Sequence, residues 1–518
     1  MFQPAVFFEL GRVRSGTALV PVINADSVRL FFSTRSGNAV VKWGDGTETN
    51  WTPEKNIDYT DGVNVRASIN KSYSPNYSGD IAVVFKQGLR DVYSFASWSA
   101  GTGSSKVLNI QNFGTFIKQF PNLYSIMLNE YAYQSAANKS TIKGNLADVP
   151  NFVERIMIRE FEVKDATNGN VWFDLSTFTA QSNLKYFNFN GGSYGYVADT
   201  NLKLIGDLSK LPTGCSYFNF FKCLTGSAIT YTAGKVWASS FDTLSIPLPL
   251  SHTELDNLLI DMDNSITTKI GAGVITLGGY RSYASDAAVA SLQAKGFTVN
   301  VLRQELILNL DSSNSSSYSG SGTTIYDLSG YNNNGTLLNG VGFNPDSGGS
   351  LVFDGVDDRV SIADNSNLRL SNGTFSIWAK RVDDTNVNSA VASKISGSGS
   401  FNGWMIILNS TSVYIALKDA STNYSFTYPF GSASNWVNVT LVWITATTWK
   451  LYVNGIFRQT VTTAPITISN QPLYLGKSLD NFWKTLKGRI GLVKLFNYPQ
   501  SDNDVLTEFN NNKTRFGL

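Results

Sequence analysis

The fold of the C-terminal part of the chain is indicated by residues 436–455, which read WVNVTLVWITATTWKLYVNG. Within this stretch, Lys450-Leu-Tyr-Val-Asn454 alternates polar and apolar residues, and the pair Asn454-Gly455 follows at once. Alternation with a period of two is typical of strands that bury one face, and an Asn-Gly pair favours a hairpin turn with positive φ. The stretch therefore predicts antiparallel strands packed on a core.

Similar strand patterns, separated by Gly, Asn and Ser turns, continue from Leu306 to Leu518. Their order and spacing resemble the concanavalin A-like, laminin G-like jelly roll, and the tail from Phe509 to Leu518 resembles the ends of such modules in phage virion proteins. The resemblance implies two packed sheets over residues 305–518. The pieces that carry it are Tyr326–Gly330, Asn332–Leu337, Gly349–Asp358, Thr374–Ala379, Trp436–Val442, Trp449–Gly455, Leu473–Gly476 and Gly488–Asn497.

The composition indicates a β-rich chain with sizeable cores and little charge. Of its 518 residues, 42% are hydrophobic and 13% aromatic, and only 15% are charged, against about 25% in typical domains. At this length we expect about three domains. The net charge of +2 provides no basic field for nucleic acid or anionic lipid, and no apolar run is long enough for a membrane span.

Residues 1–17 read as an N-terminal arm, and residues 18–105 read as a series of short strands. The sequence Lys42-Trp-Gly-Asp-Gly-Thr47 predicts a tight turn, because both glycines allow positive φ and the aspartate between them can accept backbone hydrogen bonds. This turn and the strand pattern Gly79–Phe85 resemble the PKD-type immunoglobulin-like (Ig-like) sandwich. Lys71-Ser72 departs from that family, which has His-Thr at this place.

Residues 106–302 contain a weak repeat, in which short strand-like cores recur at intervals of roughly 30 residues. They resemble divergent leucine-rich repeats, which implies an α+β domain of stacked units with one strand each. An irregular α+β domain is the alternative. Helices at 255–262 and 285–295 and a strand at 297–301 are predicted to end the domain. The strand cores are Leu123–Leu128, Val153–Ile158, Leu184–Phe189, Cys215–Phe220, Phe241–Ile246 and Val274–Leu277.

Four aspartates of the C-terminal part are candidate ligands of Ca²⁺. Asp354, Asp357 and Asp358 are close in sequence, and Asp327 lies in a predicted turn that can approach them. Carboxylate oxygens are hard ligands that suit Ca²⁺, and the resemblance to laminin G-like modules, which often bind calcium, points the same way. The alternative is a tight turn whose Asp side chains cap backbone amides, and Gly491 favours it because many relatives carry an acid there.

Aromatic side chains are the candidate ligand platforms, because ring faces stack on sugars, although most Trp residues of a jelly roll lie in its core. Trp483 lies in the polar loop 480–484 and is the best candidate for an exposed ring. Trp378 and Trp443 lie in strand patterns and are expected in the core. The other candidate platforms are Trp404, Tyr424 and Tyr428.

The sequence argues against catalysis. His252 is the only histidine, and its place at a predicted helix start favours a capping or surface role over that of a catalytic base. The Glu-x-Asp-x-Glu strand with which this fold builds glycosidase sites is absent. Cys215 and Cys223 lack zinc-site spacing, so we expect free thiols, with a disulfide as the alternative. We therefore expect no enzymatic activity and no required cofactor.

The expected fold class is mainly β: an Ig-like sandwich, a leucine-rich-like repeat (α+β) domain and a concanavalin A-like jelly roll. Met1–Leu10 lacks the charged region of an export signal, although the composition suits an extracellular surface. This combination favours a phage virion protein (a tail fibre, head fibre or decoration protein) made in the host cytoplasm. Its expected partners are other virion proteins and a host-surface glycan or protein. The sequence contains no coiled-coil heptads that would indicate an oligomeric state, so homo-oligomerisation stays open.

Two other functions remain as alternatives. One is a bacterial cell-surface adhesin or glycan-binding protein whose export signal is missing from this sequence. The other is a glycan-degrading enzyme with an unrecognised pair of carboxylates.

Overall fold

The fold is described from a computed structural model. By its internal contacts the chain divides into two compact units, Met1–Arg303 (unit 1) and Gln304–Leu518 (unit 2). Strands far outnumber helices, so a mainly β fold is confirmed. None of the described helices is both long and apolar enough to span a membrane. The described residues are 17–34, 39–51, 57–61, 64–85, 92–99, 109–119, 125–130, 141–151, 153–159, 171–178, 183–190, 202–220, 227–382, 388–397, 402–419, 422–431, 435–480 and 482–518.

Unit 1 is built from strands and a few short helices. In chain order its elements are β1 Thr17–Thr34, β2 Ala39–Lys42, β3 Glu48–Trp51, β4 Ile57–Asp61, β5 Asn64–Phe85, β6 Val92–Ser99, β7 Asn109–Ile110, α1 Phe113–Lys118, β8 Ser125–Glu130, β9 Thr141–Ile142, β10 Gly144–Asn145, β11 Arg155–Arg159, β12 Val171–Asp174, β13 Tyr186–Asn190, β14 Leu202–Asp207, β15 Tyr217–Phe220, β16 Ala228–Thr230, β17 Ser240–Leu250, α2 His252–Ser265, β18 Thr268–Arg281, α3 Asp286–Ala294 and β19 Thr298–Arg303.

One large sheet organises unit 1. Its order is β3-β2-β5-β1-β6-β8-β11-β13-β15-β17-β18-β19, and β4 also pairs with β5. The pairs from β3 to β6 are antiparallel, whereas all pairs from β6 to β19 are parallel. The sheet thus contains strands from both sides of the domain boundary that the sequence predicts between residues 105 and 106. The Ig-like and leucine-rich-like assignments stay predictions.

The repeated strands of unit 1 bury one face against a second, smaller parallel sheet of order β10-β12-β14-β16. Phe173 of β12 contacts Phe187 of β13 with ring centroids 4.5 Å apart and Phe218 of β15 at 5.5 Å. All three rings are buried. Since one strand cannot bury its own apolar face, neighbouring repeats complete the core between the two sheets.

The predicted Trp-Gly-Asp-Gly-Thr turn is confirmed. Gly44 and Gly46 have φ of 82° and 87°. Asp45 accepts a hydrogen bond from the backbone N–H of Thr47 at 3.0 Å. The Lys71 ammonium, 2.9 Å from the Asp45 carboxylate, and the hydrogen bonds from Thr47 lower the pKa of Asp45 to about 2.

Both predicted helices of unit 1 are present. α2 begins with a capping box, in which the Ser251 hydroxyl accepts from the Glu254 N–H and the Glu254 carboxylate accepts from Ser251. α3 is followed by Gly296, whose φ of +93° ends the helix. β19 then forms the predicted last strand.

Unit 2 consists almost entirely of strands. In chain order its elements are β20 Leu306–Asp311, β21 Thr324–Ile325, β22 Gly335–Leu338, β23 Gly342–Asn344, β24 Ser350–Asp354, β25 Arg359–Ile362, β26 Gly373–Arg381, β27 Ser389–Ile395, β28 Gly403–Leu408, β29 Ser412–Lys418, β30 Asn423–Pro429, β31 Val437–Thr445, β32 Thr448–Val453, β33 Ile456–Thr462, β34 Leu473–Leu475, β35 Lys484–Thr485, β36 Lys487–Phe496 and α4 Asp502–Asn512.

These strands form two sheets that enclose the core of unit 2. The eight-stranded sheet has the order β23-β24-β36-β26-β31-β32-β33, with β20 also on β36. The nine-stranded sheet has the order β21-β22-β25-β34-β27-β28-β29-β30, with β35 also on β27. Trp443 and Trp449 are buried between the sheets, and Trp378 is buried on the other face of the eight-stranded sheet. The expectation that Trp378 and Trp443 are buried is thus confirmed.

Candidate functional site

The outer face of the nine-stranded sheet has an apolar layer of its own. Along β28, Trp404 and Ile406 point into the sandwich core, so by alternation Met405 and Ile407 point to the opposite face. Met405 and Ile407 are nevertheless fully buried. The side chains that cover this face are Tyr414, Leu479 and Trp483.

An aromatic patch, defined as Tyr414, Phe482 and Trp483, lies on this outer face. The Trp483 ring is half-buried and lies 5.4 Å from the Tyr414 ring, centroid to centroid. Phe482 meets Trp483 edge-on at 5.0 Å and is itself 77% exposed. Asp480 orders the loop, because its carboxylate accepts from the Phe482 N–H at 3.1 Å and its carbonyl from the Trp483 N–H at 3.3 Å. The patch is thus a group of aromatic rings packed on one another, of which the Phe482 ring is open to solvent.

The other predicted platforms do not lie on this patch. Trp404 is 3% exposed and packs against Phe375 in the sandwich core, so its prediction as a ligand platform is wrong. Tyr424 and Tyr428 lie on β30 and pack against the sandwich core rather than on the outer face. The Tyr424 hydroxyl accepts from the Ala464 N–H, and the Arg458 guanidinium covers the Tyr428 ring at 4.4 Å.

Sequence reasoning missed Phe482 and Tyr414. Phe482 stands next to Trp483 in a polar loop, and two adjacent aromatic residues outside a strand pattern are a signal of exposure. Tyr414 lies on β29 between two core residues, so its outward direction follows from strand alternation. Its proximity to Trp483 depends on the fold alone.

Three of the four predicted aspartates lie close together. Asp354, Asp357 and Asp358 each place a carboxylate oxygen within 4.8 Å of the others. Asp354 and Asp357 are exposed, whereas Asp358 is 2% exposed. Burial, with the neighbouring charges of Asp354 and Asp357, raises the pKa of Asp358. The three form a small, strongly acidic turn, named here the aspartate turn (residues 354–358).

Asp327 does not belong to the aspartate turn, which corrects the prediction of a four-aspartate site. Its carboxylate caps its own turn, accepting hydrogen bonds from the N–H groups of Ser329 and Asn333 at 2.9 Å each. It also accepts from the Asn309 N–H at 2.8 Å. These bonds use both carboxylate oxygens locally.

The residues considered for catalysis lie at a helix start and in the core of unit 1. His252 is the first residue of α2. Cys215 is buried in the core of unit 1 as a free thiol, and burial raises its pKa to about 12. Cys223 lies outside the described residues.

Comparison with known proteins defines the class of unit 2. Residues 354–506 match the family described as the concanavalin A-like lectin/glucanases superfamily. Unit 2 therefore contains a concanavalin A-like, laminin G-like domain, as the resemblance in its sequence implies. No curated protein sequence matches the chain.

The search of solved structures finds matches of low similarity. They include the binding domain of botulinum neurotoxin serotype D at 18% identity and that of Paraclostridial Mosquitocidal Protein 1 at 16%, both with a TM-score of 0.33. Each match covers 40% of this chain and 52% of the solved chain, so the chain spans about half the length of these structures.

Proposed function

We propose that the protein is a non-enzymatic binding protein and that unit 2 binds a surface glycan through the aromatic patch. The observation that carries the proposal is Phe482, which is 77% exposed beside the half-buried ring of Trp483. Single exposed apolar residues are common on protein surfaces, but a contiguous group of them marks interaction sites. The lectin-like fold of unit 2 supports the same function.

The chemistry of the patch suits a neutral glycan. Ring faces pack against the apolar C–H faces of sugars, while hydroxyl and amino groups at the edge orient them. Thr427 lies opposite Tyr414 on the edge strand β30 and is exposed. Lys484 follows Trp483 and is also exposed. The patch therefore has polar groups at two sides.

A glycan array, followed by binding measurements on the best glycan, tests this function. We expect Phe482→Ala to weaken binding about tenfold, which corresponds to about 1.4 kcal/mol. Phe457→Ala is the matched control, because Phe457 is 42% exposed on β33 in the other sheet. Equal glycan binding by the wild type and Phe482→Ala would refute the aromatic patch as the glycan-binding site.

We propose further that the chain is a phage virion protein, either a fibre or a decoration protein, that carries unit 2 to a host surface. Its low charged fraction of 15% and its strand-rich units support this role. Mass spectrometry of purified particles and cryo-electron microscopy test it. Density at a symmetric position on the particle supports the proposal. Recovery of the chain only from cell-wall fractions would favour the bacterial adhesin, and release of reducing sugar from a host capsule would favour an enzyme.

A further inference from the structure

The outer face of the large sheet of unit 1, which lies opposite its core, carries a repeated pair of residues. Tyr186-Phe-Asn-Phe189 of β13 recurs unchanged as Tyr217-Phe-Asn-Phe220 of β15. The phenylalanines of both strands are buried in the core, so by alternation the tyrosines and asparagines point to the outer face. Core packing explains the repeated phenylalanines but not the repeated tyrosines and asparagines.

The repeated residues form two rows that are held in place by their own contacts. The parallel register places tyrosine beside tyrosine and asparagine beside asparagine. The Tyr186 and Tyr217 rings are stacked with their centroids 4.2 Å apart, and the Arg155 guanidinium covers the Tyr186 ring at 4.4 Å. The Asn219 amide donates to the side-chain carbonyl of Asn188 at 3.0 Å. The side chains of both rows are therefore positioned before any ligand binds.

Small polar residues continue the asparagine row toward the edge of the sheet. The parallel register carries the row from β15 across β17 and β18 to the edge strand β19. Its residues on these four strands are at least partly exposed. Neighbouring strands lie ~4.8 Å apart, so the row offers one polar side chain at each such step. The four residues, named here the polar row, are Asn219, Ser245, Thr276 and Asn300.

The polar row keeps hydrogen-bonding groups that no described residue uses. The Asn300 amide donates to the Thr276 hydroxyl oxygen at 3.1 Å, which leaves the Thr276 O–H and the side-chain carbonyl of Asn300 available. Within the described part of the chain, the side-chain carbonyl of Asn219 and the Ser245 hydroxyl also lack a protein partner. Each strand of the row thus presents a donor or an acceptor, in a regular array.

The outer face is uncharged along the row, and the two long helices of unit 1 leave it open. Leu258 of α2 and Leu292 of α3 belong to the core, so both helices pack on the inner side of the sheet. On the described strands from β13 to β19, the in-register positions of the two rows hold Tyr, Asn, Thr, Ser and Val and no charged residue. Such a face suits a neutral, hydroxyl-rich ligand.

We propose that the polar row binds an extended neutral glycan, in a site of unit 1 that does not depend on glycan binding by the aromatic patch. Sugar hydroxyls donate and accept hydrogen bonds, and the hydroxyl and amide groups of the row can do the same. One sugar unit of an extended glycan is about as long as one ~4.8 Å step between strands, so successive sugars meet successive members of the row. The tyrosine stack beside Asn219 adds apolar contact at one end.

An extended peptide suits the polar row less well. A bound peptide strand needs either a sheet edge to pair with or pockets for its alternate side chains. Ser245 and Thr276 lie on the face of the sheet, on strands that are paired on both sides. Their small side chains lie next to each other and do not form deep pockets.

Titration calorimetry of the full chain with linear neutral oligosaccharides of increasing length tests the proposal. It is done in the Phe482→Ala variant, in which the aromatic patch is weakened, so that binding by the polar row is measured by itself. We expect the affinity to rise with each sugar up to about four, because one sugar meets each strand of the row, and then to level off. Added salt is expected to leave the affinity unchanged, because no ion pair is formed.

Two variants of Ser245, which lies inside the row, and one control decide the assignment. Ser245→Lys places a long side chain across the row and is expected to weaken binding about tenfold or more. Ser245→Ala removes one hydroxyl and is expected to weaken binding about fivefold, and it tests the row even if the lysine variant does not fold. Thr230→Lys is the matched control, because Thr230 is an exposed strand residue of the smaller sheet of unit 1.

The outcomes separate the polar row from the aromatic patch. Absence of oligosaccharide binding in Phe482→Ala, or binding that both Ser245 variants keep unchanged, overturns the proposal, and binding of peptides alone overturns the glycan as the ligand. Glycan binding that is lost in Phe482→Ala and kept in both Ser245 variants supports the aromatic patch and overturns the polar row. The reverse pattern supports the polar row and refutes the patch.

Discussion

The replacement Trp404→Ala distinguishes the core of unit 2 from its outer face. Trp404 is 3% exposed, with its ring centroid 4.8 Å from that of Phe375 and 6.4 Å from that of Trp443. Truncating a buried Trp to Ala removes its contacts and leaves a cavity, at a cost of about 3–5 kcal/mol. For a domain of this size, each kcal/mol lowers the Tm by about 2–4 °C. We therefore expect a decrease of roughly 6–20 °C.

Hydrogen exchange of the full chain, read by mass spectrometry, is the assay that separates the two units. Peptides from β28 and β31 report the free energy of opening in unit 2, and peptides from β13 and β15 report unit 1. Trp404→Ala is expected to speed exchange in the peptides of unit 2 and to leave those of unit 1 unchanged. Trp404→Phe, which keeps a ring in the site, is expected to cost less.

The control is Phe482→Ala, an aromatic truncation on the outer face of the same sheet. Because Phe482 is 77% exposed, its truncation is expected to change stability by no more than about 0.5 kcal/mol. Equal effects of Trp404→Ala and Phe482→Ala would refute the assignment of one ring to the core and the other to the surface.

Three further predictions concern single contacts. Asp364→Asn is expected to cost about 3–5 kcal/mol, because the buried Lys394 ammonium, 2.6 Å from Asp364, loses its carboxylate partner and keeps only the neutral Gln471 carbonyl. Although burial opposes it, hydrogen bonding lowers the pKa of Asp364. The stabilisation is therefore present above about pH 4 and is lost at lower pH, which urea unfolding at several pH values can show. Cys215 is expected to resist alkylation at pH 8 in the folded chain and to react in urea, by peptide mass spectrometry. Asn454→Ala is expected to cost about 1 kcal/mol in urea unfolding, because Asn454 has a φ of 52°, whereas Asn454→Gly should cost less.

Local chemistry made part of the fold predictable. The turn at Asn454-Gly455 has positive φ at both residues, as the pair predicts. The capping box at Ser251 likewise follows from side chains that are neighbours in sequence. The parallel pairing of β6 with β8 was not predictable in this way, because ladder hydrogen bonds join backbone groups that every residue has.

The candidate site was harder to predict, for three physical reasons. β28, which contains Trp404, is buried on both faces, so the alternation that marks an inward side chain is missing. Asp327 was assigned to the wrong group because sequence shows that an aspartate lies in a turn without showing which N–H groups its carboxylate binds. Tyr414 and Trp483 are far apart in the chain and meet only through the fold.

The two outer faces of unit 2 are covered to different extents, and this favours one of them for the proposed ligand binding. On the eight-stranded sheet, Trp378 is stacked against Phe516 at 4.3 Å and against Phe509 of α4 at 5.5 Å. The Tyr452 hydroxyl also donates to Asp502 of α4 at 2.6 Å, so the C-terminal segment closes that face. On the nine-stranded sheet a loop covers the apolar layer and leaves Phe482 exposed. A ligand that stacks on aromatic rings therefore has its best contact on the nine-stranded sheet.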